Sequence, residues 1–136
     1  MARHLLEAGH EVALWSHTSQ KARELAGQGK GKFCETPRQV AEHAECMFLC
    51  VGDTAMSQQA VLGAGGIIEG AKRDSVVVDA STVSPSASRA MGEKLREKGV
   101  HFLDAPCTGS KPGAEGGTLT FMIGGDKAVF EHVRPF

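Results

Sequence analysis

Apolar residues along this chain fall into short dense blocks separated by stretches with helical spacing. Glu11–Trp15 (EVALW), Cys46–Val51 (CMFLCV), Val76–Ala80 (VVVDA), Val100–Leu103 (VHFL) and Thr118–Ile123 (TLTFMI) read as strands, with Lys32–Glu35 a weaker one. Cys46–Val51 is unbroken by polar residues, the signature of a parallel strand covered on both faces. Between the blocks, Met1–Ala8 reads as the back half of a helix. Its stripe is Leu5, Leu6 and Ala8, and Gly9 suits a left-handed C-cap. Thr18 or Ser19 can cap a helix SQKARELAGQ that stops at Gly29. Thr36-Pro37 starts PRQVAEHA, proline being harmless at the first helical position. Further helices are predicted through Gln58–Leu62, over Ser86–Lys98 with Gly99 ending it, and after Gly124-Gly125-Asp126. Strands that alternate with helices predict an α/β fold, doubly wound around a mostly parallel sheet. No repeat or linker divides residues 1–136, so they read as one domain.

Composition narrows the function classes. The chain has 136 residues, which fits one domain rather than two. With 41% hydrophobic and 23% charged residues it reads as a folded, soluble protein. A net charge of -1, no tyrosine and one tryptophan argue against nucleic acid as a partner. No apolar run reaches the roughly 18 residues that span a bilayer. Glu7 and His10 interrupt any signal-peptide core, so the expected compartment is the cytosol. Cys34, Cys46, Cys50 and Cys107 form no C-x-x-C pair and read as small buried hydrophobes. The six histidines lack ligand spacing, so no metal site is expected.

In an open parallel sheet, ligands bind beyond the carboxyl ends of the strands. Ser16-His17-Thr18, Val51-Gly52-Asp53, Ser81-Thr82 and Cys107–Gly117 each follow an apolar block and are the segments to inspect. No acid stands at Ser16-His17-Thr18, and Lys21 and Arg23 are near. That favours a 2′-phosphate, hence NADP, over the ribose hydroxyls of NAD, which remains open. Thr18 as a simple helix cap is the alternative. Ser81-Thr82 can offer a helix start to a ligand or merely cap that helix. Asp79 can pair with nearby backbone or face solvent. In the 107–117 stretch, Thr108, Ser110 and the amide of Gly109 can hold a small carboxylate, or the glycines can simply connect two strands. Lys111 reads as a solvated turn residue.

Three motifs in order carry a resemblance. MARHLLEAGHEV resembles the second half of the signature opening the β-hydroxyacid dehydrogenase family, which includes 3-hydroxyisobutyrate dehydrogenase and the glyoxylate/succinic semialdehyde reductases. VVVDASTVSP resembles that family's cofactor-contacting turn, with Thr82 at the position that meets the nicotinamide ribose. DAPCTGS followed by GAEGGTLTFMIGGD resembles its substrate segment. The resemblance implies a Rossmann-like NAD(P)-binding domain, with Ser16, His17, Thr18, Val51 and Thr82 on the cofactor and Thr108, Gly109 and Ser110 on a carboxylate substrate. It also implies a domain cut short at both ends. The first strand and its G-x-G-x-x-G turn have no counterpart, and a central sheet position would then lack its strand. The helical domain bearing the family's catalytic lysine has no counterpart either, so no catalytic residue is expected in this chain. The implied parent reaction is hydride transfer between NADP(H) and a small carboxylate-bearing aldehyde or 3-hydroxy acid, in an enzyme open to self-association. A non-catalytic dinucleotide-binding or oligomerisation module, and a methyltransferase-like nucleotide binder, stay open as alternatives.

Overall fold

The computed structural model describes residues 1–136 and gathers their strands into two separate parallel sheets and one antiparallel pair. Helix α1 (Ala2–Glu7) leads into β1 (Val12–Leu14), α2 (Ser19–Ala26) and β2 (Gly31–Phe33). Helix α3 (Pro37–His43) then leads into β3 (Cys46–Leu49), α4 (Thr54–Leu62), α5 (Ile67–Gly70), β4 (Val76–Asp79), α6 (Pro85–Glu97) and β5 (His101–Asp104). An antiparallel pair, β6 (Cys107–Thr108) and β7 (Thr120–Phe121), encloses α7 (Ser110–Gly116), and α8 (Lys127–Val133) follows. Strands β1 and β2 pair in parallel, as do β3, β4 and β5 in the order β3-β4-β5. The α/β, largely parallel architecture expected from the sequence is what forms. No helix is long and apolar enough to cross a membrane.

The break between the sheets leaves two strand edges open. Val76 N donates to Glu45 O (2.8 Å) and Ala80 N to Leu49 O (2.7 Å), so the odd residues of β3 bond toward β4. Backbone groups alternate sides along a strand, which turns those of Cys46 and Phe48 to the unpaired side. On β1, Val12 N bonds Lys30 O (3.1 Å) and Leu14 O accepts from Cys34 N (2.8 Å), so Ala13 turns to its open side. None of the 136 residues supplies a strand joining β1 to β3, as the sequence led one to expect.

Burial follows this break. Met47, Leu49 and Val77 line one sheet face with Ala41, Val61, Met91 and Leu95 from the covering helices. On the other face Val76, Val78 and Leu103 meet Val133 of α8. A smaller cluster of Leu6, Leu14 and Ala22 holds α1 and α2 on β1. The expectation that β3 is covered on both faces is only half met. Met47 and Leu49 are buried, but Phe48 stays 40% exposed beside the open edge. The last apolar block shrinks to a two-residue strand whose neighbours Met122 and Ile123 are exposed, since its only strand partner is β6. The 107–117 stretch is more than a connection: it contains α7. Pro112 is tolerated in that helix's first turn, where the N–H groups have no intrahelical partner. Helix α4 begins before Gln58 because Asp53 caps it, accepting from Met56 N at 2.8 Å. Helix α2 ends at Ala26, before the expected Gly29.

Candidate functional site

The carboxyl ends of β1, β3 and β4 place the inspected segments at element junctions. After β1, Ser16 is half-buried, while His17 and Thr18 are exposed. Ser16 Oγ accepts from Thr18 N at 3.2 Å, closing a local turn. The His17 ring lies against Trp15, centroids 5.3 Å apart and tilted by 49°. Thr18 sits at the N-cap position of α2 but makes no capping bond, because its φ of -96° and ψ of 87° depart from the extended conformation that caps adopt. Its hydroxyl is therefore unengaged. The two basic residues differ. Arg23 is held over the Phe33 ring at 3.9 Å and pairs with Glu35 at 3.6 Å, whereas Lys21 is exposed and makes no ion pair.

The ends of β3 and β4 are stapled together. Val51 N donates to Ser81 Oγ at 2.9 Å, and Ser84 N donates to Thr54 Oγ1 at 3.0 Å. Ser84, not Ser81 or Thr82, caps α6 by accepting from Ala87 N at 3.2 Å, and Pro85 opens that helix. This settles the capping question raised for Ser81-Thr82: Ser81 is buried in the staple and Thr82 is left exposed with its hydroxyl unengaged. Asp79, assigned no role from sequence, is fully buried. Its carboxylate accepts from Ser81 N at 2.9 Å and from the Ser57 hydroxyl of α4. A carboxylate in an apolar strand needs such partners, so the Asp in VVVDA was itself a signal. Ser57 carried none.

Thr108 ends β6, Ser110 opens α7 and Gly109 joins them, all three exposed. Gly109 (φ 124°) and Ser110 (φ 53°) both take left-handed backbone conformations, so the chain turns sharply here. A Cβ on Gly109 would come within 3.1 Å of Leu119 Cδ2, and one on Gly113 within 3.2 Å. Packing of Leu119, which sequence reasoning missed, is thus one reason for these glycines. The segment reaches β4 through Cys107 Sγ, 3.9 Å from Ala80 O, and α1 through His4 Nε2, 2.9 Å from Ala114 O. Lys111 is 83% exposed and pairs with Glu115 at 3.6 Å. The structure therefore brings Val51 to the Ser81-Thr82 turn and Cys107 to the same strand end. Ser16, His17 and Thr18 stay on the separate β1-β2 sheet.

All four cysteines are free thiols. Cys34 is buried as expected, but Cys50 is exposed, because it lies on the Phe48 side of β3. Burial pushes the Cys46 thiol up to about 11, and at Cys50, whose thiol is partly covered although the residue is exposed, that partial desolvation with the nearby Cys107 and Asp79 raises the thiol. Such thiols hold their protons and are poor nucleophiles at neutral pH. No group of three or more His, Cys, Asp or Glu side chains is placed to hold a metal.

The model of the NAD binding domain of 6-phosphogluconate dehydrogenase matches residues 1–136. An uncharacterized oxidoreductase of Shewanella frigidimarina is 38% identical, covering 99% of this chain and 46% of the relative. The 2-hydroxy-3-oxopropionate reductase of Escherichia coli is 36% identical over 99% of this chain and 46% of its own length. The crystal structure of 3-hydroxyisobutyrate dehydrogenase from Salmonella typhimurium superposes with a TM-score of 0.90 at 25% identity, covering 98% of this chain and 46% of that one. The chain spans about half the length of these relatives.

Proposed function

The chain belongs to the family of NAD-binding domains represented by that of 6-phosphogluconate dehydrogenase, and from that premise we propose that it is the cofactor half of a reductase acting on a small carboxylate-bearing aldehyde, or on the 3-hydroxy acid in reverse. The observation that carries this reading is a set of exposed hydroxyls without hydrogen-bond partners in the segments that follow the strands. Thr18 follows β1, Thr82 follows β4, and Thr108 and Ser110 flank the turn from antiparallel strand β6 into α7. The names of two relatives, a 2-hydroxy-3-oxopropionate reductase and a 3-hydroxyisobutyrate dehydrogenase, support the substrate class.

The donor set fits NADP. Ser16, His17, Thr18 and Lys21 offer hydroxyls, a ring N–H and a cation to a 2′-phosphate, with no carboxylate among them to repel it. Thr82 would meet the nicotinamide ribose, Val51 would contact the cofactor, and Thr108, Gly109 and Ser110 would hold the substrate carboxylate. When bound, the nicotinamide supplies the hydride. The residues of this chain orient the two reactants and bring their reacting ends together. Lys111, the lysine of the substrate segment, is solvated and paired to Glu115. The proton step is assigned to the remainder of the enzyme, residues 1–136 being the cofactor-binding portion of it.

Titration of the chain with NADPH and NADH, followed by nicotinamide fluorescence, tests the cofactor. NADPH is expected to bind tighter, and Thr18→Glu to reverse the order; tighter binding of NADH by the unaltered chain refutes the preference. For the substrate, the whole enzyme is assayed for NADPH oxidation with glyoxylate, succinic semialdehyde and tartronate semialdehyde. No turnover with any of them, nor with 3-hydroxyisobutyrate in reverse, would falsify the substrate class.

A further inference from the structure

Asp79 is the one acidic side chain that is fully buried, and both its oxygens are used. One accepts from the backbone of Ser81, at the first residue of the turn carrying Thr82. The other accepts from Ser57 on α4, whose Oγ also lies 3.6 Å from Met91 Sδ on α6. Ser81 in turn spends its own hydroxyl on Val51 N at 2.9 Å. These bonds form one connected path from α4 through β4 to the ends of both strands. Every donor and acceptor on the path is buried or half-buried, so water cannot readily substitute for a lost partner.

From this geometry we infer that Asp79, Ser57 and Ser81 are positioning residues, a buried tie that fixes the Val51 turn against the Thr82 turn. None of the three needs to touch a ligand. The tie sets the spacing of two backbones, and so the spacing of whatever groups those backbones present. Asp79→Val removes both acceptors and leaves Ser81 N and Ser57 Oγ without this partner, whereas Asp79→Asn can keep both contacts because the Ser57 hydroxyl can turn to accept. Ser81→Ala removes only the bond to Val51. That the turns hold a dinucleotide rests on the reading above; the tie itself does not.

The test uses the full chain without ligand and site-resolved amide hydrogen exchange. Ser81→Ala is expected to speed exchange at Val51 by about tenfold, and Asp79→Val to do so at Ser81, while Val77 and Leu103 in the sheet core are unchanged. The same variants are expected to weaken NADPH about tenfold, with Glu93→Gln on the exposed face of α6 altering neither readout. Unchanged exchange at Val51 and Ser81 overturns the tie. Equal acceleration at Val77 and Leu103 also overturns it, because the residues would then serve general stability. If the unaltered chain binds no NADPH, the cofactor reading is what falls, and the exchange arm still decides the tie.

Discussion

At the scale of single residues, the polar groups divide by what surrounds them. Asp79 stands in an apolar strand and had to find partners; Thr82, three residues on, is left for solvent. The sequence pattern located both positions at a strand end. An acid inside an apolar block signalled that Asp79 needs partners, but one of them, Ser57, comes from α4 and was not legible. Cys46 illustrates the same point with a measurable outcome. Burial raises its thiol from 9.0 to about 11, so the folded state holds the proton more tightly than the unfolded chain. The stability contributed by the neutral thiol is intact below pH 9.0 and is lost as pH rises toward about 11. Urea midpoints taken near about pH 8 and about pH 10.5 should therefore fall further for the unaltered protein than for Cys46→Ala. Equal falls would show that the thiol is not held back by burial.

At the scale of elements, the strands and long helices were legible because their signals are local. Thr36-Pro37 before α3 and the apolar blocks of β3 and β4 needed no tertiary information. Two short helices were not legible. Helix α5 has four residues, too few to show a period, and α7 is built from SKPGAEG, a composition that reads as loop. Helix α7 persists because Gly109 and Gly113 let Leu119 settle on them, a contact between residues that carry no shared pattern. Caps were legible in type but not always in place: Ser84 serves α6, and Thr18 does not serve α2. Helix α8 offers a clean case, since Asp126 accepts from both Ala128 N (2.7 Å) and Val129 N (3.2 Å). Asp126→Ala should cost ~1 kcal/mol in a denaturant titration, and Asp126→Asn nearly nothing. Similar losses in both would mean that charge, not the capping bond, matters there.

At the scale of the molecule, the order of the motifs was the most informative part of the sequence, and the family match over residues 1–136 agrees with it. Which faces stay uncovered could be read only in part. The expected gap in the sheet is present, but the exposure of Phe48 and Cys50 beside it is encoded by no local pattern. The open edges of β1 and β3 also set a rhythm in time. Within β3, Met47 and Leu49 donate toward β4, whereas the N–H groups of Cys46 and Phe48 turn to the unpaired edge. Deuterium should thus enter β3 in a two-residue beat, fast at Cys46 and Phe48 and slow at Met47 and Leu49, while β4, paired on both sides, takes it up slowly throughout. Uniformly slow uptake along β3 would mean that its outer edge is covered in solution. A strand half clocked by solvent and half by the fold is the kinetic imprint of a sheet in two pieces.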